Sequence, residues 1–221
     1  MFGLDPESIF NRVKASNQPA RVPTLRESVL RGALGFTLVS LGGFAPWVLA
    51  GRWFYRNVGE AGLYTACAIV FIGLSGWLLH GLIIGPGAVV RFYQLFSLAF
   101  VTYAVLWTAG WMTLGGVTGG LVGLLAGTAA MGVILACGFA AWNVSPKVIV
   151  ILFVTNAAGY FIGEWAYNAV SALPGGWDRR TRGMLARSAW GLFYGIGFGA
   201  GIGFAFHACQ ARVRKRLATQ P

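Results

Sequence analysis

Charged residues are scarce in this 221-residue sequence, and acidic residues are the scarcest of them. Only 10% of the residues are charged and only six are Asp or Glu, whereas 57% are hydrophobic. Soluble domains carry about 25% charged residues, so this composition excludes a water-soluble globular domain. The length fits one membrane domain and leaves no room for a second globular one.

Cysteine is also rare, and the three cysteines stand far apart. Cys67, Cys137 and Cys209 lie in or beside apolar stretches, without Cys-x-x-Cys spacing and without a histidine at ligand spacing. Disulfide frameworks and zinc sites need clustered ligands, so neither is expected. The sequence also lacks a P-loop, an HExxH motif and a GxSG motif. These absences favour a non-enzymatic protein without deciding the question, and we assign no catalytic residue.

Long apolar runs are abundant, and they predict an all-α integral membrane protein with six transmembrane helices and glycine-zipper packing faces. Thr24-Leu-Arg-Glu27 matches a capping box, which starts the first helix near Leu25. A span needs about 20 residues to cross a bilayer core of about 30 Å. The predicted crossings are 32–49, 62–84, 91–113, 117–142, 148–172 and 187–208. They form one domain, 25–208, between a polar and basic tail, 1–24, and a basic tail, 209–221.

Lysine and arginine are distributed unevenly between the two predicted sides of the membrane. With the amino terminus inside, eleven lie on the inner side and six on the outer side. Because cytoplasmic loops carry an excess of these residues, we expect both termini in the cytoplasm. The stretch 178–183 (DRRTRG) is an exception, predicted as an arginine-rich outer loop. The excess of Arg over Lys, with abundant Gly and Ala, indicates a GC-rich bacterial genome and hence a bacterial inner membrane.

Tryptophan is concentrated near the predicted ends of the spans. Its ring favours the headgroup level on either side of a bilayer. We therefore expect an anchoring belt rather than a ligand cage. The members near the predicted outer ends are Trp47, Trp53, Trp107, Trp111, Trp177 and Trp190.

Glycine forms regular strips on two of the predicted spans. Small residues at every fourth position let helix backbones approach closely, which favours helix association in lipid. We expect these faces to pack on each other or on copies of the chain. The strips are Gly191, Gly195, Gly199 and Gly203 on the sixth span, and Gly119, Gly123 and Gly127 on the fourth.

The fifth span carries the only carboxylate inside an apolar run, Glu164. It belongs to a stripe at four-residue spacing, which shares one helix face. An ionisable group within a membrane span is costly and indicates a functional site. The stripe therefore predicts a polar path for a proton, a cation or a polar solute, formed by Asn156, Tyr160, Glu164 and Asn168. The sequence leaves an alternative open, in which Glu164 lies near the outer headgroups and pairs with an arginine of 179–187.

The two histidines, His80 and His207, fall late in the second and sixth spans. In the expected topology both lie near the cytoplasmic boundary at similar depth. Two histidines on neighbouring helices can serve as axial ligands of a haem, and Arg91 would be near enough to meet a propionate. Interfacial histidines are common, so no cofactor is predicted, and haem b is kept as an alternative.

Three functional interpretations remain open. The leading one is a small transporter or channel-like protein, oligomeric through its glycine faces, with the polar path on the fifth helix. The second is a non-enzymatic accessory or assembly subunit of a larger membrane complex, and the third is a bis-histidine haem redox protein. The expected partners are the lipid bilayer and either a second copy or another membrane protein. Nucleic acid is not expected, because no soluble domain carries a basic binding face.

Overall fold

The protein is described by a computed structural model, which covers residues 2–16, 21–174 and 176–219. This part of the chain is helical and contains no strand. Six stretches are long and apolar enough to cross a membrane, which confirms the all-α fold with six spans. They are Leu25–Asn57, Gly59–Leu82, Ala88–Leu114, Gly116–Gly138, Trp142–Ser171 and Arg179–Cys209.

The helices follow one another with short connections. In chain order they are α1 (Pro6–Ala15), α2 (Leu25–Gly43), α3 (Ala45–Asn57), α4 (Gly59–Leu79), α5 (Ala88–Leu114), α6 (Gly116–Gly138), α7 (Ser145–Ser171), α8 (Arg179–Cys209) and α9 (Ala211–Ala218). A 3₁₀ turn, His80–Leu82, follows α4, and another, Trp142–Val144, precedes α7.

Local sequence signals start and stop several of these helices as expected. The capping box at α2 is confirmed: the Thr24 amide donates to Glu27 Oε2 at 2.8 Å and the Glu27 amide donates to Thr24 Oγ1 at 3.2 Å. Pro146 lies in the first turn of α7, where a missing amide costs little. Gly115 alone joins α5 to α6 with a φ of 63°, which glycine adopts readily. The predicted tight hairpin of the third and fourth spans is thereby confirmed.

Two predicted boundaries are wrong. The first span reaches Asn57 rather than ending near residue 49, and it consists of α2 and α3 with a break at Phe44. Pro46 lies at the start of α3, where it cannot continue the hydrogen bonding of α2. The stretch 178–183 is no loop, because α8 begins at Arg179. Asp178 caps that helix by accepting the amide N–H of Arg180 at 2.7 Å.

The membrane helices form a closed ring in chain order. α2 contacts α4, α4 contacts α5, α5 contacts α6, α6 contacts α7, α7 contacts α8, and α8 returns to α2. Aromatic side chains from several helices fill the centre around Phe36. Its ring centroid lies 5.1 Å from that of Phe198 on α8, 5.9 Å from that of Phe71 on α4 and 6.3 Å from that of Phe100 on α5. The interior of the ring is therefore a packed aromatic core.

Glycines make the closest helix contacts in the ring. A Cβ atom on Gly195 of α8 would lie 2.6 Å from the Cα of Thr37 on α2, too close for a real side chain. Gly199 and Gly203 of the same strip lie against the α2 backbone near Gly32. On the opposite face of α8, a Cβ on Gly197 would lie 2.6 Å from the Cα of Gly159 on α7.

The second glycine strip packs in the same way on a different helix. A Cβ on Gly123 of α6 would lie 2.6 Å from the Trp107 carbonyl oxygen of α5. Gly119 lies against the backbone of Gly110, and Gly127 against Tyr103, both also on α5. The strips on α8 and α6 therefore pack on α2 and α5 respectively, and not on each other.

The short helices α1 and α9 pack against each other at the end of the ring where α2 begins. Their apolar sides are buried: Leu4 just before α1, Ile9 in α1 and Val213 in α9 belong to the hydrophobic core. Arg31 of α2 donates to the Gly81 carbonyl at 2.8 Å and so joins the turn after α4 to this end. The two terminal helices thus pack onto one end of the helix bundle.

Candidate functional site

The predicted polar stripe lies on α7, but its four residues differ in their exposure. Asn156 is fully buried and Tyr160 is half-buried, whereas Glu164 and Asn168 are exposed. An α-helix has 3.6 residues per turn, so a step of four residues rotates about 40° past a full turn. Two or three such steps carry the stripe from the buried face of α7 to its outer surface.

Asn156 is the buried end of the stripe, and it is linked to α5 directly and to α8 through a tyrosine of α5. Its Nδ2 donates to the Tyr103 hydroxyl of α5 at 2.9 Å. That hydroxyl lies 3.3 Å from the hydroxyl of Tyr194 on α8. We call Tyr103, Asn156 and Tyr194 the buried polar cluster. It lies among apolar helices near the middle of α7, one of the candidate spans.

Two atoms beside this cluster are buried and have no hydrogen-bond partner. They are Oδ1 of Asn156 and the indole Nε1 of Trp107. An unpaired buried polar group costs about 1–3 kcal/mol of stability. Trp107 also packs edge-on against Tyr160, with ring centroids 6.2 Å apart. Its indole nitrogen is thus buried between helices, and the anchoring belt stays a prediction.

Sequence reasoning missed the partners of Asn156. Tyr103 and Trp107 occur four residues apart on α5, the same spacing as Asn156 and Tyr160 on α7. This shared four-residue spacing, between two polar or aromatic side chains on each helix, was the available signal. Tyr194 gave no signal of its own, because it lies among the glycines of α8.

Glu164 lies on the surface near the carboxyl end of α7. Seven residues separate it from Ser171, a rise of about 10 Å. The next residue, Trp165, is 69% exposed. Arg187, one of the arginines considered as a partner for Glu164, is held against α3: its Nη1 donates to the Trp47 carbonyl at 3.2 Å and its guanidinium lies 5.0 Å from the Trp47 ring centre.

The two histidines contact different helices. His80 Nδ1 lies 3.0 Å from the carbonyl oxygens of Gly76 and Trp77 in its own helix. His207 Nδ1 lies 3.5 Å from the Ser28 hydroxyl of α2. In the described part of the chain the two rings have no hydrogen-bonding neighbour in common. Arg91 donates to the carbonyls of Pro86 and Gly87 in the adjoining loop. Within 2–16, 21–174 and 176–219, no cluster of three His, Cys, Asp or Glu side chains could hold a metal ion.

Positive charge is concentrated at the end of the ring that α1 and α9 cover. Arg12 donates to the Gly3 carbonyl, and burial, followed by the neighbouring Arg91, lowers the pKa of Arg12. Burial also lowers the pKa of Arg214 in α9. A groove of about 490 Å³ runs between the two helices, lined by Asp5, Pro6, Glu7, Arg212, Lys215, Arg216 and Thr219.

The fold and hydropathy define the class of protein as a polytopic membrane protein with six candidate spans. No family model and no curated protein matches the sequence, and no solved structure matches the fold.

Proposed function

We propose that this protein is a small transporter or channel-like membrane protein whose polar path follows α7, through Asn156, Tyr160, Glu164 and Asn168. The observation that carries this proposal is the state of Asn156. Its carboxamide is fully buried at membrane depth, and its Oδ1 has no partner. A helix packed only for stability gains from an apolar side chain at such a position. A passing solute, by contrast, gains a hydrogen bond there.

The change in exposure along the stripe supports a route from the surface to this site. Glu164 and Asn168 are exposed, Tyr160 is half-buried and Asn156 is buried. A solute on this route would lose its water gradually while polar groups replace it. Beyond Asn156 the aromatic core around Phe36 fills the ring. In this proposal, passage requires the helices around that core to separate, as in alternating access.

We infer that the basic end, with α1 and α9, faces the cytoplasm of a bacterial cell, and that Glu164 faces outward. The excess of eleven Lys and Arg over six between the two sides supports this orientation. A green fluorescent protein fused to the carboxyl terminus should fluoresce, and an alkaline phosphatase fused there should be inactive. The opposite pair of results would reverse the orientation.

Flux through reconstituted protein tests the transport proposal. Purified protein in liposomes is exposed to osmotic gradients of neutral, cationic and anionic solutes, and swelling is followed by light scattering. We expect flux of one class above that of empty liposomes, reduced at least about tenfold by Asn156→Leu and by Glu164→Gln. The matched control is Ser75→Ala, because Ser75 on α4 is also fully buried but bonds only to the Phe71 carbonyl of its own helix.

Two results of the flux experiment would reject the proposal or its path. Folded wild-type protein that passes no solute class faster than empty liposomes is not a transporter of this kind. If flux is unchanged in both Asn156→Leu and Glu164→Gln, the solute does not pass along α7.

A second candidate function is that of an accessory subunit in a larger membrane complex. The outer face of α7 favours it, because Glu164, Trp165 and Asn168 point away from the ring. Native mass measurement of tagged protein from its own membranes should then show a fixed-ratio complex. Trp165→Ala should release the partner, whereas Trp77→Ala on α4, where the tryptophan is 71% exposed, should not. A single homomeric species would reject this candidate.

A further inference from the structure

Two of the three unpaired buried side-chain atoms among the described residues lie on adjacent turns of two helices that run in the same direction, and the third is Nε of Arg187. Trp107 carries the unpaired donor Nε1 on α5, and Asn156 carries the unpaired acceptor Oδ1 on α7. Asn156 is bonded to Tyr103, one turn before Trp107. Trp107 packs on Tyr160, one turn after Asn156. One contact lies a turn before the other, and the donor and the acceptor lie between them. Both atoms therefore lie in the same space between α5 and α7, which we call the interval.

Helix α6 places a glycine, and no side chain, beside Tyr160. Gly120 faces Tyr160, and a Cβ atom placed on Gly120 would meet that ring at 3.9 Å, an ordinary contact distance. On the α8 side, Trp190 packs edge-on against Tyr160 with ring centroids 5.8 Å apart. Two of the neighbours of Tyr160 at this level, Trp107 and Trp190, are therefore aromatic, and the third, Gly120, has no side chain. None of these neighbours carries a charge.

We propose that Trp107 Nε1 and Asn156 Oδ1 together bind one small neutral molecule that accepts one hydrogen bond and donates another. Water, simple alcohols and simple amides have this chemistry. Ions do not fit, because none of these neighbours offers a counter-charge and a buried ion would lose its hydration. This inference rests on the proposed transport function and names its solute class: small neutral hydrogen-bonding solutes.

The orientation of the Asn156 carboxamide does not change this conclusion. Exchanging its oxygen and nitrogen would let Oδ1 accept from Tyr103 and would leave Nδ2 unpaired instead. One end of the carboxamide then still faces the interval without a partner. In that arrangement both groups are donors, so the bound molecule must accept two hydrogen bonds, which the oxygen of water, of an alcohol or of an amide can do with its two lone pairs.

The test observes the Trp107 indole directly. Protein with ¹⁵N-labelled tryptophan is placed in lipid nanodiscs, and the Trp107 signal is identified by its loss in Trp107→Phe. Urea and ethanol are titrated as neutral probes, and guanidinium and acetate as charged probes. We expect a saturable shift of the Trp107 signal with a neutral probe, or a cross-peak to bound water if water occupies the site. The exposed Trp77 serves as the internal control and should show neither.

Substitution of Asn156 tests whether this residue and the Trp107 indole bind the same molecule. Asn156→Leu should weaken the neutral-probe shift at least about tenfold while the other tryptophan signals stay in place. If those signals collapse, the variant is unfolded and Gly120→Val, which fills the interval from α6, replaces it. The inference is wrong if Trp107 shows neither a saturable shift nor a water cross-peak. It is also wrong if charged probes shift the signal as strongly as neutral ones.

The proposed binding site and the proposed transport function can be rejected independently. A saturable shift of Trp107 without flux of any solute would keep the site and reject the transport proposal. Flux of an ion with an unperturbed Trp107 signal would keep the transport proposal and reject the neutral-solute site.

Discussion

The side chain of Gln210, at the end of α8, completes the backbone hydrogen bonding of Ile84, in the segment that follows α4. Its Oε1 accepts the Ile84 amide N–H at 2.8 Å, and its Nε2 donates to the Leu82 carbonyl at 2.8 Å. Gln210 is only 1% exposed. Backbone groups in this irregular segment have no helix to satisfy them, so one side chain replaces the missing secondary structure.

Gln210→Ala should therefore destabilise the protein strongly. It leaves the Ile84 amide and the Leu82 carbonyl without partners in a buried position, at about 1–3 kcal/mol each. We expect a loss of roughly 3 kcal/mol and a clear fall in the thermal midpoint, measured by intrinsic fluorescence in mild detergent. Gln94→Ala on the exposed side of α5 is the matched control and should change the midpoint little. Equal effects of the two variants would contradict this role of Gln210.

The seam between α2 and α8 should not tolerate a methyl group. A Cβ on Gly199 would collide with the Gly32 carbonyl oxygen and lie 2.7 Å from the Phe36 Cβ. Gly199→Ala should cost about 1–3 kcal/mol through overpacking. Gly73→Ala on α4, where nothing lies within 4 Å of the added carbon, should instead be neutral or stabilise by about 0.5–1 kcal/mol. The pair is compared by thermal unfolding, and a seam that accepts both substitutions alike refutes this prediction.

The two tyrosines of the buried polar cluster should differ in importance. The Tyr103 hydroxyl contacts both Asn156 and Tyr194, so Tyr103→Phe leaves two polar groups without their partner. We expect a loss of about 2 kcal/mol. Tyr194→Phe removes only the longer contact, 3.3 Å, and should cost less than about 1 kcal/mol. Chemical denaturation of the two variants in parallel decides the order, and the reverse order would mean that Tyr194 is the centre of the cluster.

Helix α1 should loosen in acid because its cap is a carboxylate. Asp5 accepts the Ser8 amide N–H at 2.9 Å, and hydrogen bonding by the hydroxyl and amide of Ser8 lowers the pKa of Asp5 below its ordinary value of 3.8. A lowered pKa means that the charged cap stabilises the folded helix above the ordinary pKa. This contribution is lost as the pH falls through the lower, folded-state pKa.

Hydrogen exchange of peptides that cover α1 measures this effect. Near about pH 6, α1 of the wild type should exchange more slowly than α1 of Asp5→Ser, and this difference should shrink as the pH falls below the ordinary Asp5 pKa of 3.8. The serine keeps a capping oxygen but does not titrate in this range. Identical pH profiles of the two proteins would show that the Asp5 charge does not hold α1.

The six spans could be predicted from hydropathy because lipid imposes both the length and the apolar character of a crossing helix. The capping box at Thr24 also placed the start of α2 correctly. The start of α8 was missed because arginines dominate 179–183, although Asp178 before them is a strong cap. The break at Phe44 was missed because the apolar pattern continues across it into α3.

The candidate site was predictable only along α7. Spacing alone put Asn156, Tyr160, Glu164 and Asn168 in one stripe, and this polar path remains a prediction. The partners Tyr103 and Tyr194 depend on how α5 and α8 are rotated about their own axes. Hydropathy does not specify that rotation, since both helices are apolar on most sides. Close glycine contacts set it instead, through pairs of helices that the sequence pattern did not identify.

The closure of the ring by α2 and α8 has a consequence for how the protein is made. About 165 residues lie between the end of α2 and the end of α8. At about 5–20 residues per second, the ribosome needs roughly 10–30 s to synthesise them. During that time Gly32 and its neighbours on α2 have no α8 to cover them. The first membrane helix therefore waits in the bilayer with its main packing face open, where insertion chaperones and membrane proteases can reach it.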